Sequence, residues 1–235
     1  MRQAAGIEID RRPSGAGEDF IPTWSGDGKW LAFQTWRNGN RDVYVVRSSG
    51  GPAEQVTSKP VHEMYPSWSP DGRSLVYYEA RTDAPPHLLR VDRTADGWSK
   101  AIELLNGVGT LPRWSPDGGS IAYLARTSAM LMASDGSRPR TVMPYGLIGR
   151  DTAFVVSVTW GPDANTLYVK AVGGRLGEPS IWSVPANGGT PRLLVRFDDP
   201  SRPSGRQEFT TDGKRLYFTV DNRQSDISVM DVIKP

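Results

Sequence analysis

The sequence predicts an all-β fold: a five-bladed β-propeller of four-stranded antiparallel blades, spanning residues 1–235 as a single domain. Three observations point there. A turn motif led by an aromatic residue recurs five times along the chain. Each copy is followed by short runs that alternate apolar and polar residues, the period of a half-buried strand. Gly (25 residues) and Pro (19 residues) make up nearly a fifth of the 235, which demands many turns between short elements.

The motif reads "TWSGDGKWLAF" from Thr23, "SWSPDGRSLVY" from Ser67, "RWSPDGGSIAY" from Arg113, "TWGPDANTLYV" from Thr159 and "EFTTDGKRLYF" from Glu208. Its anchors Trp24, Trp68, Trp114, Trp160 and Phe209 are spaced by 44, 46, 46 and 49 residues, the length of one propeller blade. In each copy the anchor closes the innermost strand. Ser-Pro-Asp-Gly then reverses the chain: Pro presets φ, Asp bonds back to the backbone, and Gly takes the φ > 0 position. A second strand follows ("WLAFQTW", "LVYYEA", "IAYLA", "LYVKA", "LYFTV"), then a third ("DVYVVR", "HLLRVD", "AMLMAS", "SIWSVP", "DISVMD"). After a Gly-rich or Asp-Gly turn comes a fourth: "AEQVTS", "KAIELL", "PRTVM", "PRLLV". One such sheet cannot bury both faces alone, so blades stack and the aromatic anchor is expected to wedge between neighbours.

The fifth repeat ends after its third strand, "DISVMD". At the other end, "AAGIEIDRR" alternates Ile7 and Ile9 with polar residues, a short-strand signature. Residues 5–11 are therefore expected to supply the outer strand of the fifth blade and to remove an open sheet edge.

Composition narrows the partners. Lys and Arg total 28 against 26 for Asp and Glu, a net charge of +2 with no block of one sign, so neither nucleic acid nor an anionic membrane is an expected partner. The chain has no cysteine, which excludes disulfides and thiolate metal sites. Apolar runs such as "FVVSV" fall far short of a membrane span. The opening "MRQAAGIEIDRRPSG" lacks the apolar core of a signal peptide, so the chain is expected to be a domain excerpt or a product lacking its N-terminal portion.

Chemistry-bearing patterns are sparse. His62 and His87 are the two histidines, and no two-His-one-carboxylate spacing accompanies them, so no metal and no cofactor is expected. "GGSIA" at Gly118–Ala122 departs from G-x-S-x-G at its last position, and there is neither a P-loop nor a kinase loop motif. Paired carboxylates for glycoside hydrolysis stay open, because Asp and Glu lie near several inner strands.

Propeller geometry puts the turn between strands two and three on the same rim as the connection into each inner strand, and loops carry binding more than sheets do. That rim is expected to hold Asp19, Arg37, Asn40, His62, Glu63, Arg81, Arg126, Asp151, Arg206 and Arg223, with Asn38, Arg41 and Asp83 beside them. Arg37, Arg81, Arg126 and Arg223 fall 12 to 14 residues after their anchors Trp24, Trp68, Trp114 and Phe209. Guanidinium groups so placed can grip carboxylates of a peptide or an acidic protein surface; the alternative is that each pairs with a nearby Asp to pin its hairpin.

The pattern of aromatic-Ser-Pro-Asp-Gly, then a Leu/Ile-Ala/Val-aromatic strand, then Asp-Val-Tyr-Val and a Gly-Gly turn resembles the TolB-like β-propeller repeat, from about Asp19 to Asp231. The ending "DGKRLYFTVDNRQSDISVMDV" is similar to propeller sensor regions fused to bacterial serine/threonine kinases. The resemblance implies a bacterial, extracytoplasmic protein, periplasmic as in TolB. Five structural repeats without a recognisable catalytic motif lead to the expectation of a non-catalytic scaffold for a protein or peptide partner, itself a monomer. The alternative is an enzyme, either a five-bladed carbohydrate-active hydrolase or the propeller portion of a prolyl oligopeptidase-type peptidase. Deleting residues 1–12 is expected to lower the melting temperature and promote association; a monomeric deletion variant with unchanged melting would refute the closing strand.

Overall fold

In the computed structural model every regular element among the described residues is a β-strand. Those residues are 19–144, 153–173, 178–199, 204, 206–220 and 226–231. The closing strand expected at residues 5–11, and the rim residues Asp151 and Arg223, lie outside them. The chain falls into two compact units, Met1–Gly107 and Val108–Pro235.

The first unit holds two sheets. β1 (Asp19–Trp24), β2 (Trp30–Thr35), β3 (Asp42–Arg47) and β4 (Glu54–Gln55) form one antiparallel meander in that order. β5 (His62–Trp68), β6 (Ser74–Ala80) and β7 (His87–Thr94) form the next. There the fourth position is shared: β8 (Gly97–Trp98) and β9 (Ile102–Leu105) both pair with β7.

The second unit repeats the plan. β10 (Gly109–Trp114), β11 (Ser120–Ala125), β12 (Ser128–Ala133) and β13 (Arg140–Met143) make a meander. So do β14 (Ala153–Trp160), β15 (Thr166–Gly173), β16 (Glu178–Pro185) and β17 (Arg192–Arg196). β18 (Phe209–Thr211), β19 (Arg215–Val220) and β20 (Asp226–Asp231) form a three-stranded sheet among the described residues.

The repeated turn works as its residues dictate. Ser25 Oγ donates to Asp27 Oδ1 at 2.7 Å and accepts the Trp30 N–H at 3.0 Å, while Asp27 Oδ1 accepts the Lys29 N–H at 3.0 Å. Ser69 with Asp71 and Ser115 with Asp117 repeat the set at 2.6 Å. The serine hydroxyl, and next the backbone N–H two residues on, hold Asp27, Asp71 and Asp117 below the usual carboxylate range. Gly72 at φ +69 takes the left-handed position that a side chain would strain.

A second device went unread in the sequence. Ile21, Tyr65 and Leu111, each three residues before an anchor and each followed by Pro, have φ of +53, +54 and +50. At each, the innermost strand slips register against its neighbour, a β-bulge. Left-handed φ at non-glycine residues costs about 1–3 kcal/mol each, so a compensating interaction is required.

Trp68 supplies it for Tyr65, and the anchors pack wherever a neighbouring sheet is available. Trp68, 5% exposed, packs with Ala32, Val43 and Val45 of the first sheet and Leu75, Tyr77, Leu89 and Val91 of its own. Trp160 sits among Leu124, Leu131 and Val142, and its Nε1–H donates to the Arg113 carbonyl at 2.9 Å. Phe209 packs against Tyr168, Ile181 and Val195. Trp24 is 49% exposed: among the described residues of its unit no earlier sheet covers the ring. Trp68→Ala is accordingly expected to cost about 3–5 kcal/mol, and Trp24→Ala distinctly less, when urea midpoints of the two variants are compared.

Candidate functional site

In the first unit the β2–β3 turn, the β4–β5 connection and the start of β5 converge. Asn40 ties them. Its Nδ2 donates to the carbonyls of Lys59 at 3.0 Å and Val61 at 2.7 Å, and to Asp42 Oδ1 at 2.9 Å. Asp42, almost fully buried, also accepts from Asn38 at 3.2 Å and Gln55 at 3.0 Å. The Val43 N–H is capped by Thr57 Oγ1 at 2.9 Å. A buried carboxylate supplied with several donors is a satisfied one, and this one holds two loops in register.

Two more carboxylates lie beneath. Glu63 and Glu79 face each other across the β5–β6 pair and are 1% and 0% exposed. Burial raises the Glu63 carboxyl despite the Thr57 hydroxyl and the Lys59 N–H, which reaches Oε2 at 3.2 Å. Burial also pushes Glu79 upward, but hydrogen bonds from Lys59 and Arg81, with their charges, outweigh it and hold Glu79 below its ordinary value. Lys59 Nζ lies 2.6 Å from Glu79 Oε2, and Arg81 Nε pairs with Oε1. The nearby Tyr77 hydroxyl is driven up by burial and by both carboxylates. Opposed shifts on paired carboxylates are the pattern of an acid and a base. Neither group meets solvent here, so they act as a sealed internal frame.

Above the frame lies a half-buried aromatic and basic surface. The His62 and Trp36 rings meet edge to face at 4.9 Å. The Arg41 guanidinium stands 5.0 Å from the Trp36 ring centre, its Nη1–H directed to Met64 Sδ at 3.0 Å. Its Nε is buried without an acceptor, a state that costs about 1–3 kcal/mol. The Arg41 backbone N–H donates to His62 Nδ1 at 3.2 Å, so a neutral His62 carries its proton on Nε2. Tyr65 and Tyr78 stack at 5.7 Å. Burial, and next the Tyr65 phenol, push the Tyr78 hydroxyl up to about 12, with the Arg41 charge pulling against them.

The structure therefore joins Asn40, His62 and Glu63, with Arg81 linked through Glu79. Arg37 pairs with Asp19 at 2.9 Å and lies over the Phe33 and Tyr44 rings, beside this group. In the second unit Arg126 is exposed at φ +55 in the β11–β12 turn. Arg206 contributes its backbone, whose carbonyl accepts from the buried Lys170 Nζ; that amine also reaches Ser204 Oγ at 2.7 Å. Trp36, Asp42, Lys59 and Glu79 were missed. The alternation in "LVYYEA" was enough to pair Glu79 with an inward position, but Lys59 left no periodic trace. Among the described residues no three His, Asp or Glu side chains converge as metal ligands.

A family model described as the TolB beta propeller domain matches residues 11–144. The uncharacterized protein Atu1656 of Agrobacterium fabrum is 32% identical over 114 residues, 46% of this chain and 39% of that protein. The uncharacterized peptidase YuxL of Bacillus subtilis is 41% identical over 56 residues, 23% of this chain and 8% of that protein. Among solved structures, TolB from Acinetobacter baumannii superposes with a TM-score of 0.74 at 17% identity, covering 92% of this chain and 52% of that one. This chain spans about half or less of the length of these relatives, and the structural likeness speaks for the β-propeller fold alone.

Because the Glu63 carboxyl is raised, the folded chain keeps that proton to higher pH than the unfolded chain. Its contribution is complete below the ordinary carboxylate value and is lost as pH rises through the raised one. Glu79 has the opposite sign, contributing above the ordinary value and losing that contribution as pH falls. Relative to wild type, Glu63→Gln should therefore gain stability as pH climbs from about 4 to 7. Glu79→Gln should lose it over the same range, both read from urea midpoints against pH.

Proposed function

The chain belongs to the TolB beta propeller domain family, and from that premise we propose that it is a non-catalytic scaffold. It holds a protein or peptide partner on the rim formed by the β2–β3 turn and the entry into β5. One observation carries the reading: a rigid, internally satisfied polar frame of Asn40, Asp42, Glu63 and Glu79 lies under a half-exposed aromatic and basic face. A surface held in place before its partner arrives loses little freedom on binding. Of the expected rim residues, Asn40, Glu63 and Arg81 build the frame, while Asp19, Arg37 and His62 belong to the face. The near-neutral charge of +2 favours protein over nucleic acid. On this reading the module works as a monomer outside the cytoplasmic membrane, a location that its membership of the TolB beta propeller family supports.

A second reading has one observation behind it, the 41% identity to a peptidase over 56 residues: the chain would be the propeller portion of a peptidase whose catalytic residues lie elsewhere. A carbohydrate-active hydrolase is less well supported, because the paired carboxylates are sealed.

Affinity capture from an envelope extract of the source bacterium separates these. The scaffold reading expects one partner retained by the wild-type chain. Asn40→Ala, which releases the Lys59 and Val61 carbonyls, should weaken retention about tenfold while the fold persists by circular dichroism. Glycoside turnover by the chain, abolished by a rim carboxylate substitution, would overturn the scaffold in favour of an enzyme.

A further inference from the structure

We propose, resting on the scaffold reading, that Arg41 is the anchor of this rim and that it takes the side-chain carboxylate of an acidic residue in a peptide segment of the partner. The rim's other arginines in this unit are already engaged: Arg37 with Asp19 at 2.9 Å, and Arg81 with Glu79. Among the described residues Arg41 has no carboxylate partner. Its side chain makes one hydrogen bond, from Nη1 to the Met64 thioether, while its backbone N–H donates to His62 and its carbonyl accepts the Glu63 N–H. A guanidinium offers five N–H donors in a planar fork, and a thioether is a weak acceptor, so most of that capacity is unused. The buried Nε without an acceptor marks the same deficit.

The surroundings select the ligand. Trp36 forms a flat shelf 5.0 Å under the guanidinium carbon, with the His62 ring 4.9 Å from the same indole. With Nδ1 occupied as an acceptor, the neutral form of His62 keeps Nε2–H as a second, uncharged donor. One cation, one neutral donor and an aromatic floor suit a single-charged planar carboxylate, which accepts two parallel N–H bonds from arginine. Phosphate recognition draws on clusters of arginines, and the neighbouring guanidiniums here are neutralised by their own acids. Capture of a chain terminus uses converging backbone N–H groups, whereas the Arg41 N–H is taken by His62. An acidic side chain within a peptide remains.

The test is a titration of the isotope-labelled full chain with acetyl-Ala-Glu-Ala-amide, followed through the Trp36 indole N–H and Arg41 Nε–H resonances. Saturable shifts are expected with this peptide, weakening as salt rises, and none with acetyl-Ala-Gln-Ala-amide. Arg41→Met keeps the apolar stem on Trp36 and should weaken binding at least tenfold with an unchanged urea midpoint. Equal response to the Gln peptide, no response to the Glu peptide, or undiminished binding by Arg41→Met would each overturn the assignment. A response confined to acetyl-Ala-Gln-Ala with a free terminus would overturn the choice of side chain over terminus. A captured partner indifferent to Arg41→Met sinks the anchor and leaves the scaffold; an intact peptide response without any captured partner does the reverse.

Discussion

The seating of the Trp68 indole between two sheets is the contact on which the first unit depends. It joins Ala32, Val43 and Val45 on one side to Leu75, Tyr77, Leu89 and Val91 on the other. Three devices next to it in sequence serve that seating. The bulge at Tyr65 and Pro66 re-aims the end of the innermost strand, the indole follows, and the Ser69–Asp71 turn sends the chain back as β6. Magnitudes decide which effect governs. A left-handed Tyr65 costs about 1–3 kcal/mol, whereas truncating a core tryptophan costs about 3–5 kcal/mol. The wedge wins, and the strain persists because the packing over-determines it.

The strained bulge also gains a partner. The Tyr65 N–H is taken by the buried Gln34 side chain at 3.0 Å, reaching from β2 of the preceding sheet. A group that the bulge removes from its own ladder thus becomes a bond between sheets, close to the rim. From there the polar frame continues through Arg41, whose carbonyl accepts the Glu63 N–H at 2.7 Å, to Glu63 itself. Packing, backbone strain and rim geometry are therefore one connected construction, and the loops at the top inherit rigidity from the indole below.

Much of this was legible in the residues. Five aromatic anchors at blade spacing, and the Ser-Pro-Asp-Gly turn, carry the strand order and the meander, because turn chemistry and apolar alternation are local properties. Asn40 is expected on one rim with His62 and Glu63 because propeller geometry puts the turn between strands two and three beside the connection into the inner strand. The bulges were not read, although Ile21-Pro22, Tyr65-Pro66 and Leu111-Pro112 repeat before three anchors; the register slip they cause appears only when the neighbouring strand is laid alongside. The pair of Glu79 with Lys59 escaped for a related reason. Their pairing spans 20 residues and belongs to no period. Trp24 shows the limit of motif reasoning: it anchors the same motif as Trp68, but its burial depends on whether a sheet stands against it.

The same distinction separates the rim's arginines. Arg37 and Arg81 occupy equivalent places after their anchors, and each is captured by an acid: Asp19 at the start of β1, and Glu79 within β6. The two captures differ in weight. The Arg37–Asp19 pair is exposed, and such pairs contribute about 0–1 kcal/mol. Glu79 is sealed, and removing Arg81 or Lys59 would leave a buried charge short of partners, a change that costs about 3–5 kcal/mol in comparable settings. Arg81 is thus bound to structure and cannot be spent on a ligand, while Arg37 would have to give up Asp19 to take one. Arg41, four residues further along the same turn, has an aromatic ring and a thioether where the others have carboxylates. Its charge is balanced by no acid within the described rim, and that imbalance gives this face a direction in which to bind.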